Sequence, residues 1–216
     1  MVREDKIPKF PDSYIGEEAR EYNSLSWMER NQKKTTLKCI QYLYDQNLGY
    51  DINLDEKYLI LDLGCGTGYS TQILLEFGFK VIALDILEDM ITKILKKEFY
   101  GDINLSLTLA DINNIPIRKK SIDHVISVSA YNFITHNKFS SVEKKELVRE
   151  TAKSLNNVLK SKGRVIIEFY PKKQEDLNLF KDSFIVSGFN GYMIKGKSQQ
   201  NSGQTFLILK KEMDLK

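Results

Sequence analysis

The 216 residues, 42% hydrophobic and 28% charged, are enough for one good core and too few for a second full domain. No apolar stretch interrupts the charges of the first twenty residues, among them Arg3, Glu4, Asp5, Lys6, Lys9, Glu17, Glu18 and Arg20, which excludes a signal peptide; nothing later approaches membrane-spanning length, so a cytoplasmic protein is expected. The net charge of +3 divides unevenly: residues 1–115 hold 13 Lys+Arg against 19 Asp+Glu, and residues 116–216 hold 19 against 10, a split that suits a cationic ligand on the first half and a polyanion on the second.

An irregular opening with Pro8 and Pro11 leads into a helix over 26–46, whose apolar face carries Met28, Leu37, Ile40, Leu43 and Tyr44. Short apolar runs follow at 58–63, 80–84, 103–109, 123–129 and 164–169, mostly separated by helix-length segments. One of those segments places Leu147, Val148, Thr151, Ala152, Leu155, Val158 and Leu159 on one face, with Ser140 as N-cap, Glu143 completing a capping box and Gly163 as stop signal. Strands alternating with helices predict an α/β, Rossmann-like domain with a mostly parallel sheet covered on both faces. The runs 189–195 and 204–210 are joined by a loop too short for a helical crossover, so they form an antiparallel pair. There is no internal repeat or linker, and the chain reads as one domain: an amino-terminal helical segment over 1–50 and a core over 56–210. Cys39 and Cys65 read as reduced packing residues.

The chemistry concentrates at 58–78, YLILDLGCGTGYSTQILLEFG, a buried strand running into a glycine turn and a helix. Gly64, Gly66 and Gly68 let backbone and ligand approach closely. The spacing GxGxG departs from the dinucleotide fingerprint, which sets a pyrophosphate on the helix start. Acidic Asp62 before the turn instead suits an ammonium-bearing ligand, with Cys65 inside the turn. Asp85, seventeen residues after Gly68, ends the next strand where a carboxylate accepts both ribose hydroxyl protons, beside Ile86. Asp111 follows the third run, placed to reach an adenine amino group with the Ile112 backbone nearby. His124 and His136 lack companions at metal spacing, so no metal site is expected.

These residues resemble the class I methyltransferases, whose first motif looks like DLGCGTG, over 56–170. That resemblance implies S-adenosylmethionine as cofactor, with Ser127 added to its site, and a seven-stranded sheet ending in the antiparallel pair. Three further stretches, SVSAYNFITHNK at 127–138, IIEFYPKKQEDL at 166–177 and GFNGYMI at 188–194, resemble in order and spacing the small-subunit ribosomal RNA guanine-N(7) methyltransferases of eukaryotes and archaea. With the opening PKFPDSYIGEEAREYNSL, the resemblance covers most of residues 8–210. Two features depart from that family. An arginine common after the tyrosine aligned with Tyr22 is replaced near that point by Trp27, and the basic carboxyl tail of eukaryotic members has no counterpart before Lys216, which brings the archaeal type closer.

The resemblance implies methylation of a guanine in RNA. Nitrogen 7 of guanine already carries a lone pair, so only in-line positioning is needed and no catalytic acid or base is named. Ser129, Tyr131, Asn132, Phe133, Tyr170 and Pro171 are expected at the mouth of the pocket, with an aromatic stacked on the base, and Lys172 and Lys173 on the RNA side. A small-molecule methyltransferase, and an RNA-binding ribosome-assembly factor whose methylation is dispensable, remain rival readings. In the strand order that the resemblance implies, the run Ile103 to Leu109 lies at the sheet edge, where its apolar residues leave it open to strand addition; the resembling family docks a small zinc-binding activator protein there, so such a partner is expected.

Overall fold

The computed structural model describes residues 10–49, 52–53, 55–135, 140–196 and 203–212, apart from the side chain of Asn132. Seven strands, β1 (Leu59–Leu63), β2 (Lys80–Asp85), β3 (Leu105–Leu109), β4 (Ile122–Val128), β5 (Leu159–Phe169), β6 (Phe189–Lys195) and β7 (Thr205–Lys211), form one sheet in the order β3-β2-β1-β4-β5-β7-β6. The first five run parallel and β7 pairs antiparallel with both β5 and β6. The expected α/β, Rossmann-like, mostly parallel sheet with an antiparallel final pair is what forms.

Helices cover both faces, as a sheet apolar on two sides requires. On one face, α2 (Ser26–Leu43), α3 (Tyr69–Glu76) and α4 (Glu88–Ile94) bury Cys39, Ile40, Leu43, Ile73, Leu74 and Ile94 against alternate strand residues such as Ile60, Val81, Ile126 and Ile166. On the other, α5 (Ser141–Val158) and α6 (Gln174–Ile185) bury Val148, Ala152, Leu155, Phe180 and Phe184 against Leu61, Leu63, Val125, Val165 and Ile167. The period-2 alternation within β1, Ile60 to one side and Leu61 to the other, sets these two cores. Ser140 caps α5 as its sequence pattern demands: its hydroxyl accepts the Glu143 N–H at 3.1 Å and the Glu143 carboxylate accepts the Ser140 N–H at 3.2 Å.

Four local expectations are corrected. The opening holds a helix, α1 (Gly16–Ser24), which packs Ala19 and Tyr22 against Met90 of α4. Helix α2 ends at Leu43, not 46. Gly163 does not stop α5; the chain passes directly from Val158 into β5, and Gly163 sits inside that strand because a Cβ there would meet Leu159 and the Asp123 carbonyl at 2.6 and 3.0 Å. The early start of β5 is accommodated by a bulge between Ile122 and His124, where the Arg164 N–H donates to His124 Nδ1 at 3.1 Å. Finally, β3 begins at Leu105, leaving Ile103 in the preceding turn and 96% exposed. No described helix is long and apolar enough to cross a membrane.

Candidate functional site

Parallel strands deliver their carboxyl ends to one rim, and the chain reverses its direction of sheet growth between β2 and β4, which flank β1 on opposite sides. That reversal opens a crevice above β1. The turn 64–68 lies at its floor.

Asp62 sits in the last pairs of β1, wholly buried, with one carboxylate oxygen accepting the Ser70 and Thr71 hydroxyls of α3 at 2.8 and 2.6 Å. Its other oxygen, Oδ1, has no hydrogen-bond partner. Burial raises its pKa to about 6, against the two hydroxyl bonds, which lower it. The glycines divide their work. A Cβ on Gly64, which has φ +75°, would lie 2.2 Å from the Ala130 Cβ, and one on Gly68 would meet Ile94 at 2.9 Å, so both are demanded by the protein's own packing. Only at Gly66, with φ +54° and Met90 no nearer than 3.5 Å, does the turn keep space beside it. Cys65 is buried, and its N–H shares the Leu84 carbonyl with that of Gly64.

Asp85 closes the other side. Its carboxylate accepts the Gly66 N–H at 2.8 Å and the Leu87 N–H at 2.9 Å, and burial pushes its pKa up while those backbone bonds pull it down. A carboxylate has four lone-pair positions, more than these backbone bonds occupy, so room remains for a hydroxyl donor. Ile86 is exposed next to Asp85, and Ile112 is partly exposed with its Cδ1 3.5 Å from the Cβ position of Gly64, so apolar side chains flank the turn. Asp111 accepts the Asn113 N–H and side-chain amide at 2.8 and 3.0 Å, an Asx turn that leaves its second oxygen outward of the loop's own bonds. Ser127 is wholly buried, its hydroxyl donating to the Leu63 carbonyl at 2.8 Å; it ties β4 to β1 and its side chain does not reach the crevice.

The donor set fits S-adenosylmethionine: an orphaned buried carboxylate oxygen on Asp62 for an ammonium, remaining lone pairs on Asp85 for a ribose, and Ile86 and Ile112 for a base. The amino-terminal segment covers this side, with the Gly16 N–H on Asp89 at 3.0 Å and the Tyr69 hydroxyl on the Asn23 carbonyl at 2.7 Å.

On the β4–β5 side, Ser129 adopts φ +59°, a left-handed conformation uncommon outside glycine. Tyr131 is not at the mouth: it is fully buried against Phe180 and Phe184, with ring centroids 5.4 and 5.8 Å away, because its position in the turn aims it into the α6 core. Pro171 is also buried. Phe133 is partly exposed, but Phe10 stacks on it at 4.9 Å and Tyr14 meets its edge at 5.7 Å. The Asn132 side chain, His136 and Lys197 lie outside the described residues. Tyr170 is 45% exposed, and Lys172 and Lys173 are exposed beside it. His124 is buried under Tyr58, and burial lowers its pKa to about 3, so it stays neutral. The site residue that the sequence pattern does not point to is Glu168, completely buried beneath Ser129. A lone acidic residue inside the apolar run VIIEF is the available signal.

Residues 60–163 match the family model described as "Methyltransferase domain". The chain is 31% identical over 196 residues to the 18S rRNA (guanine(1575)-N(7))-methyltransferase of Saccharomyces cerevisiae, covering 90% of this chain and 66% of that protein. It is 31% identical to the 18S rRNA (guanine-N(7))-methyltransferase of Bos taurus, covering 84% and 61%. It therefore spans less than two thirds of the length of either. Among solved structures, one chain of the Haloferax volcanii complex between the Trm112 methyltransferase activator and a methyltransferase superposes with a TM-score of 0.61 at 13% identity, covering 91% of this chain and 98% of that one. An S-adenosylmethionine-dependent methyltransferase of Mesorhizobium loti gives 0.57 at 15% identity, covering 74% and 94%. Both likenesses concern the fold.

Proposed function

We propose, from the premise that this chain belongs to the S-adenosylmethionine-dependent methyltransferases, that it methylates nitrogen 7 of a guanine in small-subunit ribosomal RNA. The observation that carries this reading is the 196-residue match to a ribosomal RNA guanine-N(7) methyltransferase, which extends well beyond the cofactor-binding half. Bound S-adenosylmethionine supplies an electrophilic methyl group on a sulfonium. The residues of this chain hold and orient. Asp62 and the turn 64–68 fix the ammonium end, Asp85 receives the ribose hydroxyls, and Ile86 and Ile112 flank the base. Because guanine nitrogen 7 needs no deprotonation, the acceptor side has only to present that atom in line and exclude water. Tyr170, exposed just beyond β5, suits stacking on a base, and Lys172 and Lys173 beside it suit the phosphate backbone.

Incubation with radiolabelled S-adenosylmethionine and total RNA, followed by mapping of the label, tests the reading: label on one guanine of the small-subunit RNA is expected, and label recovered only in small molecules would overturn it.

A partner belongs to the same proposal. Strand β3 has a neighbour on one side only, and Leu109 on it is 56% exposed. We assign this edge to a small zinc-binding activator protein that adds a strand there. Leu105 and Leu107 already pack on the chain's own core, so the informative variant is Ile103→Lys, at a side chain turned out to solvent. Co-expression and size-exclusion chromatography should show a complex that this variant breaks; an isolated chain that ignores the activator and is fully active would remove the partner.

A further inference from the structure

We propose that Glu168 is a positioning residue for methyl transfer, holding the acceptor side of the crevice in place independently of the cofactor side; this rests on the methyltransferase reading above. Glu168 belongs to β5, paired with Val128 of β4 and Phe206 of β7, and none of its surface meets solvent. Buried carboxylates are unfavourable unless met by donors. Here the donors come from three other places in the fold. One oxygen accepts both the Ser129 N–H and the Ser129 hydroxyl, each at 2.8 Å. The other accepts the side-chain amide of Gln204 at 3.0 Å, whose second proton goes to Thr35 of α2 at 3.2 Å. The Tyr170 hydroxyl faces the same carboxylate, and burial together with that charge holds the phenol protonated well above its usual range.

Two consequences follow for the acceptor. Ser129 is kept at φ +59° by a double grip on its own amide and hydroxyl, which compensates a backbone conformation that a serine seldom adopts. The following residue, Ala130, presses its Cβ onto the position a Cβ would take at Gly64, so this turn is the wall between the two sides of the crevice. Tyr170, the exposed aromatic of the rim, is tied to the same carboxylate. One buried anion thus sets the wall and the stacking platform together. Asp62, Asp85 and the glycine turn make no contact with it among their hydrogen bonds. Loss of Glu168 should therefore misplace the acceptor while leaving the cofactor bound.

The test compares the wild type with Glu168→Gln, the exchange Glu168→Gln/Gln204→Glu, and Ser129→Ala. An amide at position 168 sets its protons against those of Gln204, which must turn over to accept them and so gives up its donor bond to Thr35. The exchange restores the pairing: the amide oxygen now at position 168 accepts from Ser129, and the amide nitrogen donates to the carboxylate now at position 204. For Glu168→Gln, kcat for RNA methylation should fall about 10- to 100-fold, the scale of a small misplacement of reacting groups, with the S-adenosylmethionine Kd changed less than about 2-fold. The exchange should recover most of kcat. In protein labelled with 15N-serine, the Ser129 amide proton, shifted downfield by its carboxylate partner, should move upfield in Glu168→Gln. Wild-type kcat and an unmoved Ser129 amide in folded Glu168→Gln would overturn the proposal, as would a diminished kcat that the exchange fails to restore. If Glu168→Gln does not fold, Ser129→Ala decides: it removes one of the two bonds and should lower kcat several-fold at constant cofactor Kd, and a wild-type rate would refute the role. Should the wild type leave RNA unmethylated, the substrate reading fails, and the Ser129 amide alone then judges the grip of Glu168.

Discussion

On the cofactor side of the crevice, the bonds that shape the site join residues near one another in the chain: Asp62 to Ser70 and Thr71 across 8 and 9 positions, and Gly66 to Asp85 across 19. On the acceptor side, Ser129 meets Glu168 across 39 positions, Gln204 meets Glu168 across 36, and Gln204 meets Thr35 across 169. The first side is a strand, a turn and a helix, plus the end of the next strand. The second is assembled from β4, β5, the start of β7 and α2. A short-range site can be carried as a unit and keeps its form wherever its strand pair forms. A long-range site is complete only when the antiparallel end of the sheet and the amino-terminal helix have both docked.

The largest effect expected is at the contact between the sides at Gly64 and Ala130. Gly64→Val puts a branched side chain where Ala130 already sits, at a φ of +75°, and should destabilise the fold by about 3 kcal/mol or more while abolishing cofactor binding. At Gly66 an added Cβ meets only Met90, at 3.5 Å, so Gly66→Val should cost the fold about 1–2 kcal/mol through its φ of +54°, yet also abolish cofactor binding by filling the space beside the turn. Urea unfolding and calorimetric titration of both variants separate these outcomes. Equal losses of stability would show that the contact with Ala130 yields easily and that the sides are less coupled than their geometry implies.

Asp62→Asn sharpens the cofactor side alone. Because the folded pKa of Asp62 is raised from 3.8 to about 6, its contribution to stability is most favourable below about pH 4 and is lost as pH rises through 6. His124 runs the other way: depressed from 6.5 to about 3, it contributes above pH 6.5 and is lost as pH falls toward 3. The two partly cancel in the wild type between pH 4 and 6. The asparagine variant lacks the Asp62 contribution alone, so its stability should fall relative to wild type by about 2–3 kcal/mol between pH 7 and pH 4, the size of a shift of about two pKa units. Parallel urea curves at both pH values would show that Asp62 does not titrate in this range.

Asp85→Ala is expected to weaken S-adenosylmethionine binding by about 1–3 kcal/mol, since ribose hydroxyls would be buried without an acceptor. It also releases the Gly66 and Leu87 amides, so part of that loss reflects a looser turn. Calorimetric titration with the fold verified by circular dichroism reads it; unchanged affinity would take Asp85 out of the site and leave it as a turn anchor only.

The same contrast explains what can be read in the sequence. The strand-turn-helix of 58–78 is legible because its apolar run, its glycines and Asp62 are contiguous, and the parallel sheet is legible from strand and helix alternation. For residues flanking the acceptor side, proximity in sequence to a strand end locates the chain but not the direction of a side chain. Hence Tyr131, one position beyond Ala130, points into the α6 core, and Ser127 turns to Leu63. Helix α1 leaves little trace because only Ala19 and Tyr22 of its nine residues are buried, too few to print a period. Glu168 stands out as an oddity within β5, but its partner Gln204, and Thr35 beyond it, are set by tertiary contacts with no local signature.

The smallest effect expected concerns the outer rim of the acceptor side, where the basic half of the chain meets solvent. Lys172 and Lys173 are exposed, and their backbone amides are held by the Asp176 carboxylate at 3.2 Å, so reversing their side chains should leave the turn in place. If these lysines lie along a phosphate backbone, each phosphate they neutralise releases about one counterion, and the reversed charges release none. The double variant Lys172→Glu/Lys173→Glu should then bind ribosomal RNA roughly 3- to 10-fold more weakly at moderate salt, with the slope of log affinity against log salt shallower by about 1 to 2. The S-adenosylmethionine Kd should not move, because neither lysine bonds to the glycine turn or Asp85. Filter binding between about 50 and 200 mM salt measures both RNA quantities. A slope equal to that of wild type would mean that the positive half of the chain is ordinary surface charge, and that whatever the acceptor side receives is recognised inside the crevice, by Tyr170 and the wall that Glu168 holds, and not along its rim.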